Sequence, residues 1–590
     1  MPLRQPYCPK RQAYFEIKKS KTEYSKMQKC VKEARKLQPV SQCSHFKNKL
    51  FSQGIIMRMS ILYLIVMLNT GFVKLSISKF IPSRTYGIPW PMPHEFTLDN
   101  GNFSLSQESF KFYTTYSCDI LANAMQFYRK ILFPPSDSSN DETGELLPFT
   151  TLKIVVYMPC PPGYPTPNMI ENYTLSLWPN GTGLLESLQV WGAIRGLETF
   201  SQLVIPADPV EHGPTVLRSA IINDSPRFPH RGILLDTSRH FIPVDVIKTQ
   251  IELMAQNKFN VFHWHIVDDP SFPYQSDSFP NLSNKGAFSN ERIYKKLDIL
   301  KVINYARLWG IRVIAEFDTP CHVQSWADAM ENLTSSCDIP HLYFHPLTGS
   351  LDPTRSETYS FMKTLLQEVF NDFPDEHFHL GGDECDLGCW DYNSAIRAFK
   401  KEMNFTTLKE VQSYYLNKLL DLVMEIRPNL TPILWEDGLS DSIKYSDKLI
   451  IQMWLGNTRN QQRTRLANIT ARGYRALVSS CWYLNIIKYG IDWPEYYDCD
   501  PRDFNGTLEQ KSLVLGGEAC IWGEHVDSSN LTPRLWPRAA AVGERLWSMD
   551  MKRNESTAQR LENHRCRLLA RGYTVEPVNG PGYCYEVAKL

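Results

Sequence analysis

Eight short apolar runs lie in the second half of the chain, and segments with helical spacing separate most of them. The runs are Arg231-GILLD, Phe259-NVFHWHIV, Arg312-VIAEF, His377-FHLGG, Pro432-ILWE, Leu449-IIQMW, Arg475-ALVSSCWYL and Leu513-VLGGEACIW. Between them, segments such as 244–257 and 357–370 carry apolar residues three and four positions apart, as amphipathic helices do. Repeated strand–helix units predict an α/β fold, with a parallel sheet closed into a (β/α)8 TIM barrel.

The main structural alternative is a doubly wound open sheet. Such a sheet would need a glycine-rich phosphate loop or a similar feature, and the sequence contains none. The interval between the fifth and sixth runs is short, so we expect the helix of that unit to be reduced.

The region before the barrel predicts a small α+β domain over residues 86–205. Two β-rich runs, 152–159 and 173–179, are bounded by turn residues, and the segment Leu184–Ile205 has helical spacing. A stretch containing proline and aspartate, 206–229, is the predicted linker, and the predicted barrel with its C-terminal helices occupies 230–590.

The first 78 residues differ in charge from the rest of the chain. The 590 residues carry 63 basic and 63 acidic side chains, but the first 58 hold 14 basic and three acidic ones. This basic stretch ends at 15 uncharged residues, 59–73. The run is shorter than the ~20 residues that span a membrane and has the length of a signal-peptide core. We therefore favour a cleaved signal peptide, with a type II signal anchor as the alternative.

Sequons and cysteines also indicate the secretory pathway. Twelve Asn-x-Ser/Thr sequons follow the apolar run, and eleven of the 14 cysteines do so too. The sequons are at Asn102, Asn172, Asn180, Asn223, Asn281, Asn332, Asn404, Asn429, Asn468, Asn505, Asn530 and Asn554. Overall neutrality gives no support for a nucleic-acid partner, and no Cys-x-x-Cys spacing suggests a zinc ribbon.

Polar and aromatic side chains follow the predicted strands, at the end where barrel active sites form. They are Asp236, Arg239, His265, Asp268, Glu316, His322, Asp383, Glu384, Trp435, Trp454, Tyr483, Trp522 and Glu524. Aromatic rings stack on pyranose faces, while carboxylates and arginine bind hydroxyls, so the set predicts a sugar site. Repulsion between the adjacent acids Asp383 and Glu384 should raise one pKa, as a general acid requires. Histidines that alternate along strands argue against a metal site.

Several long motifs resemble glycoside hydrolase family 20, in particular its animal lysosomal-type β-N-acetylhexosaminidases. They include HFHLGGDEC at 377–385, FHWHIVDDPSFPY at 262–274, RGILLDTSRHF at 231–241, AEFDTPCHV at 315–323 and GGEACIWGEHVD at 516–527. The resemblance extends from about residue 90 to the C-terminus. It implies a retaining exo-glycosidase that releases terminal β-linked N-acetylglucosamine and N-acetylgalactosamine from glycoconjugates or chitooligosaccharides.

The resemblance also implies the roles of individual residues. Glu384 would protonate the glycosidic oxygen, while the 2-acetamido oxygen of the substrate attacks the anomeric carbon to give an oxazolinium ion. Asp383 would orient the acetamido N–H, and Tyr483 would donate to the acetamido oxygen. The remaining substrate-binding residues would be Arg239, Asp268, His322, Trp435, Trp454, Asn485, Trp522 and Glu524. No cofactor or metal is implied.

The resemblance assigns most of the cysteines. It implies the pairs Cys118–Cys160, Cys337–Cys389 and Cys566–Cys584, and Cys481 and Cys499 are a further candidate pair across one loop. Cys520 resembles a buried free thiol. Cys321 and Cys385 depart from the family pattern, which usually has Gly and an aliphatic residue there, so they form either an extra disulfide or two free thiols.

The expected protein is a lysosomal or secreted glycosidase acting on glycan ends, and the resemblance implies a homodimer. An enzyme with the same chemistry that is anchored in the membrane and trims N-glycans is one alternative. A sugar-binding protein on an inactive barrel is another, although such a protein would have no need of a general acid. The physiological substrate is left open by the sequence.

Overall fold

The N-terminal part of the chain forms an eight-stranded sheet with two long helices. The computed structural model describes residues 87–584 except for 135–145, 206–214, 328, 331, 337–347, 386, 550–551 and 583. The strands are β1 Glu95–Ser104, β2 Lys111–Tyr113, β3 Leu147–Pro148, β4 Thr151–Val156, β5 Tyr173–Trp178, β6 Thr182–Ser187, β7 Val204–Ile205 and β8 Val216–Asp224. They pair in the order β2-β4-β6-β5-β8-β1-β3, with β7 beside β8. The helices are α1 Asp119–Leu132 and α2 Val190–Gln202.

Two expectations for this domain are wrong. The predicted linker 206–229 contains strand β8, which pairs with β1 and β5 and so belongs to the sheet. The segment Leu184–Ile205, predicted as a single helix, begins inside β6 and turns into α2 only at Val190. Along β6 buried residues alternate with half-buried ones, which is the two-residue period of a strand. The apolar residues of this segment fit the spacing of a helix as well as that of a strand, and pairing with β4 and β5 selects the strand.

Eight parallel strands then close into a barrel, which confirms the predicted TIM-barrel fold. Its strands are β9 His230–Asp236, β10 Val261–Val267, β11 Arg312–Phe317, β14 His377–His379, β15 Thr431–Trp435, β16 Ile450–Met453, β17 Arg475–Val478 and β18 Val514–Ile521. They pair in chain order, and β18 returns to β9. The other two strands, β12 Thr334–Ser336 and β13 Thr348–Leu351, form an antiparallel hairpin. As expected, only a single 3-10 turn, Glu436–Gly438, connects β15 to β16.

Helices cover the outside of the barrel. They are α3 Val244–Gln256, α4 Asn281–Gly286, α5 Lys296–Leu308, α6 Ser356–Asp372, α7 Leu387–Tyr392, α8 Ser394–Glu402, α9 Leu408–Ile426, α10 Arg459–Ala471, α11 Trp493–Tyr497, α12 Leu508–Ser512, α13 Leu531–Leu535, α14 Arg538–Trp547 and α15 Glu555–Ala570. A 3-10 turn also spans Gln324–Trp326. Within the described ranges, none of the helices has the length and apolar character needed to span a bilayer. The apolar run 59–73 lies outside those ranges.

The barrel interior changes from apolar to polar along its axis. Five aliphatic side chains form a separate buried cluster: Val261, Ile314, Ile433, Ile450 and Leu477. Other inward positions on β10, β11, β14 and β18 carry His263, Glu316, His379 and Glu518, all completely or almost completely buried. Charged groups at this depth must be paired or hydrogen-bonded, so their partners decide how the strand ends are held.

Candidate active site

Ten of the eleven side chains to which the resemblance assigns a catalytic or substrate-binding role line one cavity of about 110 Å³. The cavity is lined by Arg239, His265, Asp268, Asp318, His322, Asp383, Glu384, Trp454, Tyr483, Asn485, Trp522 and Glu524. These residues lie at or just beyond the C-terminal ends of the strands, where the fold places ligands. A larger cavity of about 630 Å³, bordered by charged residues such as Arg227 and Asp500, contains none of the predicted residues.

The two acids that follow β14 have opposite environments. The Asp383 residue is only 7% exposed, whereas 55% of the Glu384 side chain is exposed. The backbone before them turns through Gly381 and Gly382, both at positive φ. A Cβ at Gly381 would lie 1.7 Å from Asp318 Oδ1, so only glycine lets the turn pack against that carboxyl. Asp383 is therefore held inside the cavity, and Glu384 extends toward its opening.

The buried acid, Asp383, has a raised pKa. Burial raises the pKa of Asp383 to about 6, although the positive charge of His322 and a hydrogen bond from Asp318 oppose the rise. Burial, together with the negative charge of Asp383, also raises the pKa of Asp318 well above its ordinary value. Asp318 thus holds a proton that Asp383 accepts. The predicted repulsion between Asp383 and Glu384 is replaced by a buried Asp383–Asp318 pair.

A chain of imidazoles and carboxylates leads from the barrel interior to Glu384. Glu316 Oε2 is 2.6 Å from His265 Nδ1, and His265 Nε2 is 2.7 Å from Asp268 Oδ2. Asp268 Oδ1 is 3.3 Å from His322 Nδ1, and His322 Nε2 is 3.8 Å from Glu384 Oε2. Burial would lower the pKa of His322, but its hydrogen bond to Asp268 and the surrounding carboxylates raise that pKa to about 9. A cationic imidazole therefore lies beside Glu384.

Arg239 is fixed by two carboxylates on neighbouring strand ends. Its Nη1 is 3.1 Å from Asp236 Oδ2 and its Nη2 is 2.8 Å from Asp268 Oδ2. The guanidinium also lies 5.1 Å from the centre of the Trp522 ring. Burial opposes its charge, but the negative charges of Asp236, Asp268 and Glu524 raise the pKa of Arg239 above its usual value. It is a permanent, oriented donor in the cavity.

The aromatic residues form the other side of the cavity. The Tyr483 ring is 6.4 Å from the rings of both Trp454 and Trp522. Trp454 is oriented by its Nε1, which donates to Asp437 Oδ2 at 2.6 Å. Burial raises the pKa of the Tyr483 phenol well above its ordinary value, so the hydroxyl keeps its proton. The tyrosine is thus available as a hydrogen-bond donor.

Trp435 is the predicted wall residue that does not line the cavity. Its side chain is completely buried beneath the site, where its ring centre is 6.0 Å from that of Trp522. Its Nε1 donates to Glu316 Oε1 at 2.7 Å. Trp435 therefore supports the floor of the site and anchors Glu316.

Comparison with known proteins identifies the family. The model for the catalytic domain of glycosyl hydrolase family 20 matches residues 228–550, and a model described as beta-acetyl hexosaminidase like matches 89–203. The chain belongs to glycosyl hydrolase family 20. The beta-hexosaminidase subunit alpha of Mus musculus is 43% identical over 84% of this chain and 95% of its own length. The subunit beta of Homo sapiens is 42% identical over 84% of this chain and 89% of its own length.

Solved structures agree with this assignment. The chitobiase of Flavobacterium johnsoniae has a TM-score of 0.70 and 28% identity, covering 82% of this chain and 73% of its own. The β-N-acetylhexosaminidase of Bacteroides fragilis has a TM-score of 0.67, covering 84% and 99%, and its 21% identity supports the fold alone. The chain is a β-N-acetylhexosaminidase, a glycosidase of terminal β-linked N-acetylhexosamines whose family uses the substrate's own acetamido group.

Sequence reasoning missed two carboxylates of this hexosaminidase site. Asp318 directly follows β11, and Asp437 follows the last residue of β15 by two positions. Their position after a strand was the available signal, since the same criterion selected Asp268 and Asp383. What it could not show is that Asp318 bonds Gly382 N at 2.8 Å and that Asp437 orients Trp454.

Three groups of side chains in and under the site have the spacing of metal ligands. Within each group the ligand atoms lie within 4.8 Å of one another, and the groups are His263, Glu316 and His379; Asp318, His322 and Asp383; and Asp268, Asp269 and His322. The Glu316 oxygens, however, are already occupied by His265 and by the Trp435 indole. This donor set fits a hydrogen-bonded network, and the absence of a metal stays a prediction.

The cysteines are paired largely as the resemblance implies. Disulfides join Cys118 to Cys160, Cys481 to Cys499 and Cys566 to Cys584, while Cys520 is a buried free thiol. Cys389 is also in a disulfide, and its expected partner Cys337 lies outside the described residues. Cys321 and Cys385, whose state the sequence left open, form a fifth disulfide.

All twelve sequon asparagines are exposed except Asn530, which is half-buried and donates to the His525 carbonyl.

Proposed function

We propose that Glu384 is the general acid of a substrate-assisted hydrolysis and that Asp383 positions the nucleophilic acetamido group. The observation that carries this assignment is the opposite exposure of the two consecutive acids. Glu384 reaches the opening, where the leaving group departs, and it can protonate the glycosidic oxygen there. Asp383 lies inside, where a sugar bound in the cavity would place its 2-acetamido group.

Buried acceptor atoms that lack a hydrogen-bond partner support the proposed orientation of the sugar in the cavity. Among the described residues, Asp383 Oδ1 and Asn485 Oδ1 are buried acceptors without a hydrogen-bond partner. The first would accept from the acetamido N–H, and the second would accept from a sugar hydroxyl. Buried polar atoms without partners are costly, so a substrate that supplies both donors is favoured.

Charge placement supports the chemistry. As the acetamido oxygen attacks the anomeric carbon, positive charge develops on the nitrogen, next to the Asp383 carboxylate. The protonated phenol of Tyr483 donates to the acetamido oxygen and directs it at that carbon. Such fixed groups act without reorganising during the reaction, which makes their stabilisation of the transition state large. Water later opens the oxazolinium ion with retention, and Glu384 acts as the base.

Sugar specificity follows from the same arrangement. A β-glucoside lacks the acetamido nucleophile and should be a poor substrate. Arg239 and Glu524, with Asn485, would bind hydroxyls at the far end of the ring, where we expect both the gluco and galacto epimers to be accepted. The enzyme would thus release N-acetylglucosamine and N-acetylgalactosamine from glycan ends.

Cell location and assembly are part of the proposal. The described part of the chain has four complete disulfides, and Cys389 belongs to a fifth. Together with the twelve sequons, these disulfides support a glycoprotein of the secretory pathway that is delivered to lysosomes or secreted. The relatives are named as hexosaminidase subunits, which supports a homodimer here. N-terminal sequencing of the mature protein separates a cleaved signal peptide from a type II anchor, and light scattering gives the assembly.

The assignment of Glu384 is tested with the Glu384→Gln variant. Loss of the general acid should lower kcat/KM, which covers the steps up to departure of the leaving group, by about 10²–10⁴-fold for a β-GlcNAc glycoside of an alcohol. A fluorogenic aryl glycoside should lose much less, because its acidic phenol leaves with little help from a proton. Equal activity of the variant and the wild type on the alcohol glycoside would refute the assignment.

A further inference from the structure

His322 and Glu384 lie in the loops that follow two neighbouring barrel strands, β11 and β14, and the pairing of these two strands is the shortest in the barrel. β11 and β14 share one registered residue pair, Glu316 with His379, whereas every other adjacent pair of barrel strands shares at least three. Beyond the strand ends, Thr319 N donates to Leu380 O at 3.3 Å, and Gly382 N donates to Asp318. Main-chain hydrogen bonds therefore hold this part of the barrel less extensively than the rest.

Both His322 and Glu384 have backbone conformations that non-glycine residues rarely adopt. The φ angles are +59° for His322 and +46° for Glu384. Such conformations are unfavourable and persist only when surrounding contacts determine them. The two side chains approach to 3.8 Å, and His322 Nε2 is a buried atom with no hydrogen-bond partner within the described structure. The pair is close but is not joined by a direct hydrogen bond.

The Cys321–Cys385 disulfide joins the two loops at the residues next to this pair. Cys321 directly precedes His322, Cys385 directly follows Glu384, and the two cysteine Cα atoms are 5.3 Å apart. Cys321 is itself fixed, because it is buried and its Sγ lies 2.9 Å from Ser350 Oγ. In addition, Leu351 N donates to Pro320 O at 2.8 Å. The covalent link thus bridges the strand pair with the fewest backbone contacts, at the point where the reaction needs an accurate distance.

We propose that the Cys321–Cys385 disulfide is a positioning element that sets the placement of the Glu384 carboxyl relative to His322 and the leaving group. The proposal rests on the proposed function of Glu384 as general acid. Its consequence is specific: without the link the enzyme still binds the sugar, but proton transfer to the leaving group becomes less effective. A misplacement of about 1 Å can cost up to about 10²-fold in rate, so the effect is measurable.

The test compares the Cys321→Ala/Cys385→Ala double variant with a matched control, Cys118→Ala/Cys160→Ala. The control removes a disulfide with a similar Cα separation, 5.5 Å, from the N-terminal domain. Both variants and the wild type are assayed with two β-GlcNAc substrates, one with an alcohol and one with an aryl leaving group. Thermal unfolding is measured on the same samples.

We expect the first double variant to lose about 10-fold or more in kcat/KM on the alcohol glycoside and much less on the aryl glycoside, with little change in KM on the alcohol glycoside. In the control variant, the ratio of the rates on the alcohol and aryl glycosides should be the same as in the wild type. An equal effect on both substrates, including no effect on either, would overturn the proposal, because a stabilising role alone does not depend on the leaving group. Glu384→Gln is assayed in parallel: if it retains the alcohol activity, the proposed function fails independently of the disulfide.

A second double variant keeps the test decisive if the alanine variant does not fold. Cys321→Gly/Cys385→Val introduces the residue types that usually occupy these positions in the family, and it should show the same dependence on the leaving group. Failure of both double variants to fold would make the disulfide a folding requirement and would equally overturn the positioning role.

Discussion

Asp383 and Glu384 are adjacent in sequence, yet one side chain is buried and the other extends to the cavity opening. The role of each carboxyl depends on its surroundings. Burial raises the pKa of Asp383, and the positive charge of His322 acts on both Asp383 and Glu384. Since Asp383 must be charged to stabilise a developing cation, its protonation should be visible in the pH profile.

We therefore expect kcat/KM of the wild type to fall as the pH drops through about 6, where Asp383 takes up a proton. The cationic His322 favours the Asp383 carboxylate. Replacing it in His322→Gln removes that effect and raises the pKa of Asp383, so the acidic limb should move to higher pH. The measurement is kcat/KM against pH for both proteins.

His94→Gln is the matched control for this experiment. His94 is exposed in the N-terminal domain, and its substitution should leave the profile unchanged. An acidic limb in His322→Gln at the wild-type pH or below it would contradict the electrostatic link between His322 and Asp383.

Residue positions in the site were largely predictable from the sequence, but their environments were not. Placement after a strand was enough to select Arg239 and Tyr483, because the barrel directs all strand ends to one mouth. It failed for Trp435, which is buried beneath the cavity, and for Asp318, whose importance lies in a hydrogen bond across the strands. Depth and through-space pairing do not follow from order along the chain.

At the scale of elements, the turn after β14 is determined by close contact with the loop after β11. Gly381 has a φ of +71°, and an added Cβ would overlap the Asp318 carboxyl. The apolar runs in the sequence predicted the positions of β11 and β14. The contact between Gly381 and the Asp318 carboxyl could not be predicted in this way, because it forms only when the closed barrel brings the two strand ends together. Apolar spacing also assigned β6 to a helix, because spacing alone does not show that this segment pairs with β4 and β5.

Gly381→Ala should accordingly displace Asp318 and Asp383 and abolish most of the activity. Gly473→Ala is the matched control, because Gly473 also has a positive φ, +83°, but has open space around its Cβ position. Each substitution should cost about 1–2 kcal/mol of stability from the left-handed backbone alone. Only Gly381→Ala should lose activity in the folded protein, measured by kcat at a temperature below both unfolding transitions. Equal activity of the two variants would contradict the contact.

At the scale of the whole molecule, a buried charge cluster joins the N-terminal domain to the barrel. Glu171 is 2% exposed and pairs with Arg195 at 2.9 Å and with Arg231 at 2.6 Å. Arg195 also donates to the carbonyls of Trp309 and Gly310 beside the barrel. The sequence predicted both units but not this junction, because its members lie far apart along the chain.

Glu171→Gln should destabilise the protein by about 3–5 kcal/mol, because it leaves two buried guanidinium groups without a counter-charge. Glu425→Gln is the control: it breaks the exposed pair with Lys363 and should change the free energy of unfolding by about 0–1 kcal/mol. Denaturant unfolding of both variants provides the comparison. Similar values for the two would show that the cluster does not hold the domains together.

The participation of the substrate's acetamido group is tested most directly by a series of aryl β-GlcNAc substrates whose acetyl methyl carries zero to three fluorines. Fluorine withdraws electrons from the carbonyl oxygen and makes it a poorer nucleophile, while the leaving group stays the same. We predict that kcat/KM falls steeply with each added fluorine and that the corresponding β-glucoside is scarcely hydrolysed. Rates independent of fluorination would contradict attack by the acetamido oxygen and would require a different nucleophile, either water or a group of the protein.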